Sequence, residues 1–304
     1  MNIIISGASG DLGRKVTACL LQTIAPAQLI LLTRNPASLA NEQAQGAQVR
    51  RASFDDAAAL QLAMTGGDVL LLISTLSIGK RAQQHSTAIN AAKAAGVRHI
   101  VYTSSCGIQP QTPSISGQEH YATEQVLQQS GLTFTILRNS WYADVVPQLL
   151  APMAIAMGAF AASTGDGLVA PVAKDDCART AAAVLANPQR HANAIYEITG
   201  PQLYTFADLI AHCSTVSGKP IVYQQVSHAD KQAMFDAMGV SREYQEGMMN
   251  DTTNAWASDE MITYEMAIKQ GFFAICSRHV EMITGSKAMT VDEVVEVHRS
   301  HWDK

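Results

Sequence analysis

Residues 7–13 read Gly7-Ala8-Ser9-Gly10-Asp11-Leu12-Gly13, and this stretch decides the fold. A short β-branched run, residues 2–6, leads into it. Residues 11–23 follow, with Leu12, Val16, Leu20 and Leu21 on one face at helical spacing. A glycine loop that leaves a strand and opens a helix suits a dinucleotide. Gly7 permits the tight turn, Gly10 lets the backbone approach a pyrophosphate, and Gly13 lets helix and strand pack closely. The helix start then presents free amides and a positive dipole end to the phosphates. The spacing is G-x-x-G-x-x-G, and alone it would also fit an ordinary tight turn. The strand–loop–helix setting favours the dinucleotide reading, with Gly7, Ser9, Gly10, Asp11, Leu12 and Gly13 as binding residues.

Working outward, residues 29–32, 49–52, 69–73, 100–103 and 133–137 read as further strands. Helical segments over 57–64, 80–95 and 117–129 separate the later ones. Apolar strands alternating with helices predict parallel βαβ units in a sheet covered on both faces. The expected fold class is therefore α/β: a Rossmann-type doubly wound parallel sheet with a smaller, mostly helical substrate-side region. The division falls at residues 1–150 for the NADP(H)-binding domain and 151–304 for the substrate-side region. That boundary is loose, because short strands near 195–198 and 221–223 are free to rejoin the main sheet. The apolar stretch 149–162 reads as a buried helix. Thr205 with Asp208, and Thr290 with Glu293, look like capping boxes.

With 304 residues, 47% hydrophobic and 15% charged, the chain can bury a large core. A net charge of −5 gives no basic footprint for nucleic acid or an anionic membrane. The longest apolar stretch is shorter than a membrane span, which needs about 20 residues. Five dispersed cysteines, none in C-x-x-C spacing, fit a reducing compartment and signal no metal site. A cytoplasmic protein is expected, its oligomeric state left open with a homodimer among the choices.

The second strand ends at Thr33-Arg34. An acid is usual there when the ribose 2′-hydroxyl must be held; here Arg34 is placed to clamp a 2′-phosphate, which favours NADP(H). Asp55 is a candidate for the adenine amino group, with Phe54 beside the ring; equally, Asp55 reads as a helix cap. Ser74, Thr75 and Lys80 follow the fourth strand, and Ser104 ends the fifth, all assigned to the cofactor. Asn139, also assigned to the cofactor, and Trp141 and Tyr142, assigned to substrate, follow the sixth strand. Trp256, Tyr264, Phe272 and Phe273 in the tail are candidates to cap the pocket, with core packing the plainer reading. Arg138 reads as structural, paired with a nearby acid.

These segments, with residues 120–125 (His-Tyr-Ala-Thr-Glu-Gln), 130–142, Gly165-Asp166-Gly167 and 196–200, resemble the NmrA-like atypical short-chain dehydrogenases. The similarity is greatest to their quinone oxidoreductase and triphenylmethane reductase branch, and it covers residues 1 to about 240. The resemblance implies an NADPH-dependent reductase acting on a small aromatic or conjugated acceptor, such as a quinone. Its alternative is a non-catalytic regulator that senses NADP(H). Ordinary short-chain dehydrogenases use a Ser–Tyr–Lys set. Aligned through Glu124, the serine position is Ser105, the tyrosine position is Ser116 and the lysine position is His120. The usual acid is missing. The resemblance thus puts His120, Tyr142 and Ser105 forward as catalytic residues, with His120 also at the nicotinamide ribose.

Overall fold

The computed structural model describes residues 1–245, 257–298 and 302. Its strands are β1 (Ile3–Ile5), β2 (Leu29–Thr33), β3 (Gln48–Arg51), β4 (Val69–Leu72), β5 (His99–Ser105), β6 (Thr133–Asn139), β7 (Ala159–Ala162), β8 (Ala194–Ile198) and β9 (Val222–Gln225). The helices of the first half are α1 (Asp11–Leu20), α2 (Ala40–Ala44), α3 (Ala57–Met64), α4 (Arg81–Ala94) and α5 (Ile115–Gln129). Those of the second are α6 (Ala151–Met157), α7 (Lys174–Ala186), α8 (Phe206–Ser217), α9 (His228–Ala237), α10 (Ser258–Lys269), α11 (His279–Thr284) and α12 (Val291–His298).

Seven strands form one parallel sheet in the order β3-β2-β1-β4-β5-β6-β8. Successive side chains point to opposite faces, so each apolar strand feeds two cores. Ile3, Ile5, Leu29 and Leu31 pack with α1 and α7 on one face. Ile4, Ile30, Leu32 and Leu70 pack with α3, α4 and α5 on the other. The order reverses direction beside β1 and β4, and in such sheets the crevice at the strands' carboxyl ends takes the ligand.

The sheet crosses residue 150, because β8 pairs with β6 from Thr135 opposite Ala194 to Asn139 opposite Ile198. A third core, from residues such as Leu150, Phe206, Leu209, Ile268, Phe273 and Val295, holds the substrate-side region together. Both expected capping boxes are present, with reciprocal bonds between Thr205 and Asp208 and between Thr290 and Glu293.

One element departs from the reading of 149–162 as a single buried helix. Helix α6 stops at Gly158, which is left-handed (φ +66), and the chain turns into β7. Strand β7 pairs in parallel with β9. Met153 and Met157 are 44% and 69% exposed, so the helix is not buried all round. Among the described residues, no helix is long and apolar enough to cross a membrane.

Buried histidines leave a pH signature. Burial, reinforced by the charge of His191, lowers His99 to about 4. A histidine depressed in the fold takes a proton mainly when unfolded, so its stabilising share is full above pH 6.5 and shrinks as pH falls. Buried carboxyls raised in the fold, such as Glu119 and Asp176, act with the opposite sign. Comparing variants isolates one group. The stability of the wild type relative to His99→Gln should fall by about 2 kcal/mol between pH 7 and pH 5. A difference that ignores pH in urea melts would contradict this.

Candidate cofactor and substrate site

The glycine turn has the shape expected of it. Gly7 is left-handed (φ +64), and the Gly10 N–H donates to its carbonyl at 2.9 Å. Gly10 precedes α1 without any side-chain cap, which leaves the first amides of α1, from Asp11, Leu12 and Gly13, without a side-chain acceptor. A Cβ at Gly13 would stand 2.3 Å from the Gly7 oxygen and 2.8 Å from Ala8 Cα. Gly13 is therefore the packing glycine. At Gly10 a Cβ would approach the same oxygen to only 3.3 Å.

Ser9 Oγ lies 2.9 Å from Thr33 Oγ1, and the Asn35 N–H donates to that same Thr33 oxygen at 3.2 Å. A neutral group already in use thus fills the place where an acid would take a ribose hydroxyl. Arg34 beside it is exposed and makes no hydrogen bond or ion pair with another described residue. Arg14, which the sequence reading did not single out, pins the loop: its guanidinium donates to the Ser9 and Ser38 carbonyls. Asp11 pairs with Lys174 at 2.9 Å, and the Lys174 ammonium also lies 5.5 Å from the centre of the Tyr142 ring. Buried Asp144 accepts the Lys174 backbone N–H at 2.8 Å and so fixes the start of α7. Asp11 and Lys174 stand 163 positions apart, which is why sequence spacing could not join them.

Behind β4, the Ser74 N–H donates to Thr103 Oγ1 and the Thr75 N–H to His85 Nε2, both at 3.0 Å. Buried Arg81 donates to the Thr75 carbonyl at 2.7 Å and pairs with Glu119, which also accepts the Gly79 N–H at 2.9 Å. Lys80 stands exposed just ahead of α4. The Thr75 hydroxyl oxygen is buried and has no hydrogen-bond partner among the described residues. Phe54 meets His85 edge-on at 6.4 Å. Asp55 accepts from Gln84 Nε2 at 2.9 Å, and the cap of α3 is its neighbour Asp56, which corrects the capping reading by one residue.

Where β5 and β6 end, Ser105 and Asn139 are register partners. Asn139 Nδ2 donates to Tyr142 Oη over a long 3.4 Å, and its Oδ1 is buried without a partner among the described residues. Burial pushes the Tyr142 phenol well above its ordinary value, so it is a poor proton donor. Ser105 Oγ donates to the Cys106 carbonyl at 3.2 Å. Trp141 packs against Phe206 with ring centres 5.3 Å apart. The side chain of Ser104 is turned away from the role expected of it. Its hydroxyl donates to buried Glu124 at 2.7 Å, and Glu124 is gripped by Arg138 at 2.7 and 3.0 Å. Glu197 completes the Arg138 cluster at 3.0 Å, so Arg138 is structural, as expected.

His120 is buried on α5, with Nδ1 2.6 Å from Tyr102 Oη. The helix start is closed from the tail: the Ser116 N–H donates to Glu260 at 3.0 Å and the Ile115 N–H to Thr263 Oγ1 at 3.4 Å. Ser116, at the position of the usual tyrosine, is thus held by its backbone. Among the tail aromatics, Tyr264 and Phe273 pack on each other at 4.6 Å, as core residues do. The Phe272 carbonyl abuts Gly107, where a Cβ would lie 2.9 Å from it. Trp256 lies outside the described residues.

A parallel sheet whose crevice holds a left-handed glycine turn, an uncapped helix start and buried unpartnered polar atoms defines a Rossmann-type dinucleotide-binding protein. The family model described as NAD(P)H-binding matches residues 7–188, more than half the chain, and the protein belongs to that family. It is 40% identical over 238 residues to quinone oxidoreductase 2 of Escherichia coli, covering 78% of this chain and 82% of that one. The crystal structure of the Escherichia coli NADPH-dependent quinone oxidoreductase with NADPH superposes with a TM-score of 0.85 at 35% identity, covering 97% of this chain and 99% of the other. The triphenylmethane reductase of Citrobacter sp. with NADP(H) gives 0.83 at 27% identity, over 98% and 100% of the two chains.

Proposed function

We propose that this protein is an NADPH-dependent reductase that passes a hydride to a quinone or another conjugated aromatic acceptor. One observation carries the reading: an intact dinucleotide turn stands beside strand ends that hold no strong general acid. Ser116 replaces the tyrosine, and burial makes Tyr142 a weak donor. A quinone spreads the charge it receives over its conjugated ring and needs little help from an acid. When bound, NADPH supplies the hydride.

The chain's own residues bind and orient. The amides of α1 and the Gly7–Gly10 turn face the pyrophosphate, and Gly13 keeps them in place. Arg34 takes the 2′-phosphate. The unpartnered oxygens of Thr75 and Asn139 await polar groups of the bound dinucleotide. Ser74, Lys80 and His120 add contacts along its length. Ser105, Tyr142 and Trp141 border the acceptor, with Lys174 held over the Tyr142 ring by Asp11.

Titration with NADPH and NADH, followed by oxidation of bound NADPH with a simple quinone, tests this. Binding without turnover across quinone, dye and carbonyl acceptors would point to an NADP(H) sensor instead. Arg34→Ala should weaken NADPH by about 1.5–3 kcal/mol, on the order of ten- to a hundredfold in Kd, and leave NADH nearly unchanged. Equal losses for both would remove the 2′-phosphate role.

A further inference from the structure

The helix that carries His120 hides a directed chain of hydrogen bonds. The Thr75 N–H reaches His85 Nε2 at 3.0 Å. His85 Nδ1 lies 3.0 Å from Thr123 Oγ1 and 3.3 Å from Tyr102 Oη. Tyr102 Oη lies 2.6 Å from His120 Nδ1. His85 and Tyr102 are fully buried, and Thr123 and His120 nearly so.

Counting protons, together with the contact lengths, assigns the direction. A backbone N–H only donates, so His85 Nε2 holds a lone pair. Burial, with the nearby Arg81 charge, lowers His85 to about 3, so the ring is neutral and its proton sits on Nδ1. Thr123 donates its own proton to the Glu119 carbonyl at 2.9 Å and accepts from His85. Tyr102 cannot donate to a nitrogen that already carries hydrogen. Thr123 Oγ1 is the other acceptor within its reach, and the short 2.6 Å contact assigns the proton to His120 Nδ1. Burial likewise holds His120 well below its ordinary range, with Arg81 and His85 adding to the effect. The remaining ring nitrogen, Nε2, makes no hydrogen bond to a described residue and is not among the buried unpartnered atoms.

We infer that His120 is held as a neutral imidazole with its proton on Nε2, and that Tyr102 and His85 are positioning residues that fix this tautomer. The ring then offers the site a hydrogen-bond donor and no base. The chain also starts at the backbone of Thr75, so one network ties the loop after β4 to the donor on α5. The inference deepens the proposed function and rests on it only for what the Nε2–H meets.

Long-range proton–nitrogen correlation spectra of the full chain, labelled with ¹⁵N-histidine and without cofactor, test it. The His120 signals are assigned by their loss in His120→Gln. The expected result at pH 7 is hydrogen on Nε2 and a bare Nδ1. Hydrogen on Nδ1, or a charged ring, overturns the inference whatever the activity. Tyr102→Phe keeps the ring and removes the donor, so the single tautomer should give way to a mixture. An unchanged tautomer there overturns the positioning role, and the wild-type spectrum decides the tautomer even if the variant does not fold. Unchanged quinone reduction in His120→Gln would overturn the part given to His120 in the reaction, independently of the spectrum.

Discussion

Replacing Gly13 with alanine should unfold the cofactor turn and reduce quinone turnover on the order of a hundredfold, since a reacting group displaced by about 1 Å loses that much. The added Cβ would sit 2.3 Å from the Gly7 oxygen, with Ala8 Cα at 2.8 Å. Both are backbone atoms, so no side chain can swing aside. Either α1 slides along the sheet or the turn opens, and overpacking of this kind costs about 1–3 kcal/mol or more. Calorimetric melting and NADPH titration should both register the change. Gly10→Ala is the control. Its Cβ meets one oxygen at 3.3 Å, and Gly10 has an ordinary φ of −74. Stability should move less there than at Gly13, and NADPH affinity should fall if the proposed seat of the pyrophosphate on this turn is right. A Gly13→Ala protein with normal melting and normal affinity would remove that glycine from the packing role.

Arg138→Met should cost about 3–5 kcal/mol of folding stability, the usual penalty for stranding one member of a buried ion pair. Glu124 has only 1% of its surface exposed and keeps just the Ser104 hydroxyl once the guanidinium is gone. The damage should spread to the reaction, because Glu124 lies one helical turn beyond His120 on α5. Arg138→Lys should recover only part of the loss, since an ammonium cannot span Glu124 with two parallel bonds as the guanidinium does. Denaturant melts give the answer, and a loss below about 1 kcal/mol would show that the cluster is solvated or easily rearranged.

Much of the fold was legible in the sequence because its signals are local. Apolar runs mark five of the first six strands of the sheet, β3 showing only a weak Val-Arg-Arg signal, and glycine and cap residues mark the turns between them. The strand read near 221–223 is β9, but its pairing with β7 outside the main sheet was not legible, because Gly158 splits an apolar run that otherwise reads as one helix and so hides β7. The site divides in the same way. Gly7 has the left-handed turn and Gly13 the close packing that such a motif needs, and Arg34 lies exposed beside Thr33. Ser104 could not be judged, because serine at a strand end serves a cofactor or a buried acid equally well, and only the approach of α5 decides. His85, Tyr102 and Lys174 were invisible for a related reason. Their partners lie on other elements of the fold, and no spacing rule joins residues that meet only after the sheet has formed.

The closing of α5 by Glu260 and Thr263 has a consequence in time. Chains are made from the N-terminus, and early domains begin to fold while later residues are still being added. The acceptor for the Ser116 amide is encoded 144 residues after it. A nascent chain can therefore complete the dinucleotide turn long before the helix bearing His120 has its final N-terminal partners. Synthesis order thus places the glycine turn early and the finished N-terminus of α5 late.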